Sequence, residues 1–175
     1  MPSYRAFIYG DAENLEYEVR YYHNPNRWQK YSLPQGSPLS KEENWSEEFK
    51  YFDSKGMDYS DEIKRLPNNT GGIYVFYLKG ICLPFLENYI LYVGRCHFTA
   101  HQNIRKRAKE YLSDSRALIT FMRNQWRHYL YYRFSPDTNA QQIDQNEVCL
   151  IRTIAPFFNE TIPDNIEIQT PVQAF

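Results

Sequence analysis

The sequence predicts an α+β fold: a small central antiparallel sheet flanked by helices, with strands and a helix added on its N-terminal side. Three observations predict it. Two apolar and aromatic runs, 73–78 and 89–93, are separated by Gly80 and Pro84, which reads as a hairpin with a long loop. A third run, 128–134, is closed by Ser135-Pro136-Asp137. Around these runs lie segments whose apolar residues recur at spacings of three and four, the signature of amphipathic helices.

In chain order, 4–9 and 16–22 read as strands around the turn-rich Gly10-Asp11-Ala12-Glu13-Asn14, and 23–38 as a loop punctuated by proline and glycine. Ser40 is placed to cap a helix from Lys41 to about Ser54, with Glu43 at the capping-box position and Trp45, Phe49 and Phe52 on its apolar face. Pro67 to Gly72 is a strong break. A helix over 102–112 would bury Ile104, Ala108, Tyr111 and Leu112, and 118–126 reads as another. Asp137 or Thr138 would cap a last helix running to about Ile154 and ended by Pro156. This divides the chain into an N-terminal extension (1–65), a core (66–160) and a tail (161–175).

The 175 residues are 42% apolar and 23% charged, a globular composition. A chain of this length buries about 70% of its unfolded surface and folds without staples. No apolar run approaches the roughly 20 residues of a membrane span, and Met1-Pro2-Ser3-Tyr4-Arg5 lacks a signal-peptide core. Cys82, Cys96 and Cys149 are too few and too scattered for a disulfide framework or a structural zinc site, so reduced thiols and a cytoplasmic location are expected. Sixteen tyrosines, eleven phenylalanines and three tryptophans fit either a tyrosine-rich core or a tyrosine-lined site.

The formal net charge of −1 hides an uneven distribution. Residues 1–70 carry 9 basic and 12 acidic groups, 71–134 carry 10 and 3, and 135–175 carry 1 and 6. The central block is a candidate anion surface, and a solvated helix face paired with the acidic flanks is the alternative.

Three local features stand out. In the helix ending at Ile154, the residues Ala140, Ile143, Leu150, Ile151 and Ile154 form one stripe, and Glu147 falls inside it. A carboxylate there needs a cation, a donor network or a metal. Arg107 borders the buried face of its helix, one turn before Tyr111, and arginine is the fork-shaped ligand for phosphate. Tyr74 and Tyr92 lie on the two strands of the hairpin, each close to glycine: Gly71-Gly72 before one, Gly94 after the other. Taken by themselves, they are accounted for better by ordinary sheet packing than by a catalytic role.

Together these residues resemble the GIY-YIG nuclease family. Gly72-Ile73-Tyr74 matches its first tripeptide, and Tyr92-Val93-Gly94 is a common variant of its second. The helix from Asn103 to Leu112 resembles the family's first helix, with Arg107 at the catalytic arginine and Tyr111 at the His-or-Tyr position one turn later. Glu147 stands at the metal-binding glutamate, and Pro156-Phe157-Phe158-Asn159 resembles the closing segment, with Asn159 as its asparagine. The resemblance covers about residues 66–160. The spacers from Tyr74 to Tyr92 and from Tyr92 to Arg107 are longer than in the compact form. His97 and His101 sit in the second without a third ligand nearby. Arg95 follows the second motif where some relatives carry lysine. The arginine-plus-tyrosine pattern resembles the repair excinuclease subset, whereas many restriction nucleases carry histidine at the position of Tyr111.

The resemblance implies hydrolysis of a phosphodiester with one divalent metal, Mg2+ with Mn2+ as a substitute. Glu147 would hold the metal, Tyr74 would activate or orient the attacking water, and Tyr92 would support it. Arg107 would stabilise charge on the phosphoryl oxygens, and Tyr111 would position water or phosphate. Gly72, Gly94 and Asn159 would support the local backbone. Arg95, Arg105, Lys106, Lys109, Arg116, Arg123 and Arg127 would grip backbone phosphates, a source of affinity rather than sequence specificity. The expected partner is DNA ahead of RNA, and a homodimer if both strands are cut. A site-specific restriction-type or mobile-element endonuclease comes first. A structure-selective repair or phage nuclease and a non-catalytic nucleic-acid-binding module are the alternatives, and the extension 1–65 would serve DNA binding or dimerisation.

Overall fold

The computed structural model describes residues 37–79 and 89–161. The strands expected at 4–9 and 16–22, most of the loop 23–38, the Gly80–Pro84 connection, Cys82 and the tail from 162 lie outside the described residues. Within them the fold is α+β. A four-stranded antiparallel sheet runs in the order β1-β4-β2-β3. Its strands are β1 (Phe49–Lys50), β2 (Gly71–Leu78), β3 (Tyr89–Cys96) and β4 (Leu130–Asp137). The helices are α1 (Asp61–Lys64), α2 (Ile104–Glu110), α3 (Ala117–Gln125) and α4 (Ala140–Ile154). No helix among the described residues is long and apolar enough to cross a membrane.

β2 is the middle of the sheet, and all eight of its residues are buried. Its alternation splits the core in two. Tyr74, Phe76 and Leu78 face α1, α2 and α3 with Tyr92, Leu130, Tyr132 and Phe134. Ile73, Val75 and Tyr77 face α4 with Val93, Ile143, Leu150 and Ile151. Opposite Phe76/Tyr77 the register slips by one residue on β3, a bulge at Leu91. The bulged Leu91 carbonyl accepts from Phe158 N at 3.0 Å, so the segment after α4 closes on the outer edge of β3.

The helix expected over 41–54 is absent. Two 3₁₀ turns, Pro38–Ser40 and Glu42–Asn44, lead into β1, which pairs with Tyr131 and Tyr132. Residues Phe49, Tyr51 and Phe52 satisfy a strand as well as a helix, and the vacant edge of β4 decides between them. Ser46 exchanges hydrogen bonds with Phe134 at 2.8 and 3.1 Å, and the fully buried Tyr51 hydroxyl donates to Ala108 O at 2.9 Å. Ser60 instead caps the short α1, which the sequence reading missed. β4 runs on through Pro136 to Asp137, beyond the reach of β1. There a proline without an N–H costs least on the side with no strand neighbour among the described residues. The cap of α4 is Asn139, whose side chain accepts from Gln142 N at 3.1 Å, not Asp137 or Thr138. Asp137, two residues before it, accepts from Asn139 N at 2.8 Å. Ala155, at φ 48°, ends the helix before Pro156. Ala140 and Ile154 are exposed, so the stripe on α4 is shorter than the spacing suggests, and it contains the buried Asn146. Cys96 is a buried free thiol.

Candidate active site

Tyr74 points from the centre of the sheet toward α2. Its ring crosses the backbone of Gly94, directly opposite on β3. A Cβ on Gly94 would stand 2.4 Å from the Tyr74 hydroxyl oxygen. Tyr92 shares this face because it stands opposite Phe76. Tyr111 arrives from the C-terminal end of α2, where Asn103 caps the other end by accepting from Lys106 N at 3.0 Å. The ring centroids of Tyr74, Tyr92 and Tyr111 lie 5.6–6.5 Å apart. The Tyr74 and Tyr111 hydroxyls share a 2.6 Å hydrogen bond, and Arg107 Nε donates to the Tyr74 hydroxyl at 3.1 Å. Arg107 also spans to Glu110 Oε2 at 2.9 Å and lies over the Tyr111 ring at 5.3 Å.

Burial raises the Tyr74 phenol well above the usual tyrosine value, and the neighbouring Tyr92 adds to it, against Arg107 and the Tyr111 hydrogen bond. Tyr111 moves the same way, again chiefly through burial. Both hydroxyls therefore carry their protons at neutral pH. Burial opposes the charge on Arg107, but the two tyrosines and Glu110 outweigh it and the guanidinium stays charged. Tyr74 and Tyr111 are closed to solvent, at 0% and 1% exposure, and Arg107 covers them.

Arg95 alternates to the opposite face of β3 from Gly94, toward α4. Its Nη1 is 3.0 Å from Glu147 Oε2 and 3.0 Å from Asp144 Oδ1. The cation that the position of Glu147 calls for is thus Arg95. Burial raises the Glu147 carboxyl, and Arg95 acts against that. His97 Nε2 makes a 2.6 Å hydrogen bond with the same Asp144 oxygen. A cleft of about 260 Å³, lined by Arg95, Cys96, His97, Thr99, Gln102 and Arg107, joins this cluster to the tyrosine cluster.

The other basic residues divide. Arg116 grips Asp114 through both carboxylate oxygens and lies 5.9 Å over Tyr92 and 5.8 Å over Tyr111. It therefore adjoins the site. Arg105 is spent on Leu66 O, and Arg123 Nη2 donates to Asp114 O at 2.8 Å. Arg127 Nη2 reaches Asn124 at 3.3 Å, with its stem filling the space beside Gly56. Lys106 bonds His101 O at 3.0 Å and is exposed, while Lys109 lies over the Tyr59 ring at 5.0 Å.

The supporting residues have concrete contacts. Asn159 accepts from Val93 N at 2.9 Å and donates to Val93 O at 2.8 Å, so its amide replaces a strand neighbour on the edge of β3. Gly72 has φ 136°, and a Cβ there would meet Ser135 O at 2.0 Å.

Comparison with family models, with curated proteins and with solved structures returns no match for this chain.

Sequence reasoning passed over Asp144, Asp114, Glu110 and Tyr132. Asp144 lies one turn before Glu147, and that spacing was a usable signal. Tyr132, fully buried beside Tyr74 with its hydroxyl unpartnered among the described residues, carried none beyond its strand. His97 bonds Asp144, and no group of three or more His, Cys, Asp or Glu among the described residues is placed to hold a metal ion. One carboxylate still fits the divalent ion that the family resemblance implies. Glu147 is a hard oxygen donor, 18% exposed and already facing a cation. Magnesium commonly takes one or two carboxylates and completes its shell with water and phosphate oxygens.

Proposed function

We propose that this chain is a divalent-metal-dependent endonuclease of GIY-YIG type that hydrolyses phosphodiester bonds in DNA. The observation that carries the reading is the convergence of Tyr74, Tyr111 and Arg107 in one hydrogen-bonded group beside a cleft also lined by Arg95, with Glu147 behind that arginine. Two guanidinium groups lining one cleft suit a phosphate.

In this mechanism Arg107 leaves the Tyr74 hydroxyl for the scissile phosphate, where it stabilises charge developing on the phosphoryl oxygens. That movement opens the Tyr74 hydroxyl to the attacking water. Kept protonated by burial, Tyr74 orients the attacking water by accepting a hydrogen bond from it, while the bond to Tyr111 fixes the direction of the Tyr74 hydroxyl; the proton the water loses passes to a phosphoryl oxygen of the substrate. Tyr92 and Arg116 pack against Tyr111 and hold the pair in place. Glu147 would hold a divalent ion, which when bound would supply Lewis-acid polarisation of the phosphate and counter-charge for the leaving oxygen.

A site-specific restriction-type or mobile-element enzyme acting in the cytoplasm is the specific form we favour, ahead of a structure-selective repair or phage nuclease. One observation favours a second reading: both tyrosine hydroxyls are closed to solvent. If Arg107 never leaves them, the scaffold binds nucleic acid without cutting it.

The test is incubation with supercoiled plasmid and phage DNA, with magnesium and with chelator, beside Glu147→Ala. Discrete fragments that need both magnesium and Glu147 support a site-specific endonuclease, and nicking or smearing the structure-selective one. DNA bound but uncut by the wild type supports the binding module.

A further inference from the structure

We propose that Asp144 is a positioning residue for Arg95: it receives the guanidinium when a divalent ion takes Glu147, so that the ion need not expel a charge that has nowhere to go. The proposal rests on the reading of Glu147 as the metal-holding carboxylate.

One nitrogen of Arg95 stands 3.0 Å from an oxygen of each carboxylate. The two acids are one turn apart on α4, so the shared contact follows from helix geometry. They differ in setting. Glu147 is 18% exposed and Asp144 is 45% exposed. Glu147, the less exposed of the two carboxylates, is less screened by water and holds a cation more strongly, and Arg95 is the cation already there. A divalent ion at Glu147 repels Arg95. With Asp144 present, the guanidinium keeps half of its existing pairing after a small side-chain rotation. Without Asp144, it loses its only other anion in this cluster and holds Glu147 in competition with the metal.

His97 makes the arrangement specific. Its Nε2 bonds the Asp144 oxygen that Arg95 contacts, which keeps that carboxylate turned toward β3 rather than toward water. Arg95 and His97 both line the cleft with Arg107. A guanidinium resting on Asp144 therefore stays on the cleft wall, within reach of a substrate phosphate.

The test is direct Mn2+ binding by the purified full chain, read by electron paramagnetic resonance of the free ion and by calorimetry. The proteins are the wild type, Arg95→Gln, Asp144→Asn, the double variant and Glu147→Gln. Arg95 and Asp144 are both more than 40% exposed, so these variants keep the fold, which circular dichroism checks. Arg95→Gln should tighten Mn2+ about 5-fold and Asp144→Asn should weaken it about 5-fold, effects of the size expected for partly exposed ion pairs. In the Arg95→Gln background the Asp144→Asn effect should shrink at least threefold, because a double-mutant cycle removes the general loss of one negative charge. An Asp144→Asn effect of equal size in both backgrounds overturns the proposal and makes Asp144 a ligand or a bulk charge. Binding that needs Glu147 but ignores both substitutions overturns it as well. Binding that ignores Glu147→Gln, or no binding at all, overturns the metal reading beneath it and the proposal with it.

Discussion

Gly94→Ala should injure this protein at one point, the Tyr74 hydroxyl. The added Cβ would lie 2.4, 2.5 and 2.7 Å from three Tyr74 ring atoms, one of them the hydroxyl oxygen. Ordinary contact begins about 3.4 Å away, so the ring must retreat by close to 1 Å. Tyr74 is fully buried between Tyr92, Tyr111 and Tyr132, with no open space to enter. Overpacking of this kind costs about 1–3 kcal/mol, and stretching a buried hydrogen bond at 2.6 Å adds about 1–3 kcal/mol. For a chain of this size the sum lowers Tm by about 5–15 °C. A displacement near 1 Å also costs about 100-fold in rate where the group is catalytic. Calorimetry and a plasmid-nicking assay at a temperature where the variant is folded read the two effects separately. A Gly94→Ala protein with wild-type Tm would refute the packing argument. One that is destabilised yet cuts at the wild-type rate would refute the role of Tyr74.

Asn159→Ala should cost about 2–3 kcal/mol by leaving both polar groups of the Val93 backbone without their partners. The check is a lower urea midpoint with unchanged m. Burial alone would raise the Asp114 carboxyl, but the Arg116 side chain and backbone N–H outweigh it and hold it below the usual 3.8. The pair's stabilisation is therefore fully present above pH 3.8 and is lost as pH falls through the lower folded value. The Tm deficit of Asp114→Asn at pH 7 should close below pH 3.8, and a deficit constant down to pH 2 would contradict this. Burial pushes the Cys96 thiol up to about 11, so iodoacetamide at pH 8 should leave Cys96 unmodified in the native protein and label it after denaturation, as read by peptide mass spectrometry. Exchanging Glu147 for Ala should leave Tm nearly unchanged, because Arg95 keeps Asp144, while abolishing magnesium-dependent cleavage.

Where short-range pattern decides an element, the sequence was readable. The apolar runs of β2 and β3, the 3–4 spacing of α2, α3 and α4, and the breaks at Pro67–Gly72 and Pro156 all mark elements that the fold contains. Where two patterns fit the same residues, it was not. Phe49 and Phe52 satisfy both a helix and a strand, and pairing with β4 chose the strand. Ala140 and Ile154 belong to the stripe of α4 by spacing, but the sheet beneath covers only the middle of that helix.

The candidate site divides along the same line. Residue types and order in the sequence determined which side chains to watch: Tyr74, Tyr92, Arg107, Tyr111 and Glu147. Only the tertiary structure decided what each one touches. The pairing of Tyr74 with Gly94 set the ring against Tyr111, and the cap at Asn103 set the turn of α2 that brings Arg107 over both. Strand alternation sent Arg95 to Glu147 and Asp144 instead of leaving it free. Arg105, Arg123 and Arg127, a basic cluster in the sequence, were drawn into contacts with carbonyl and amide oxygens of the protein itself. A side chain's type is local information. Its partner is fixed by register and packing between segments tens of residues apart, and those are properties of the folded chain alone.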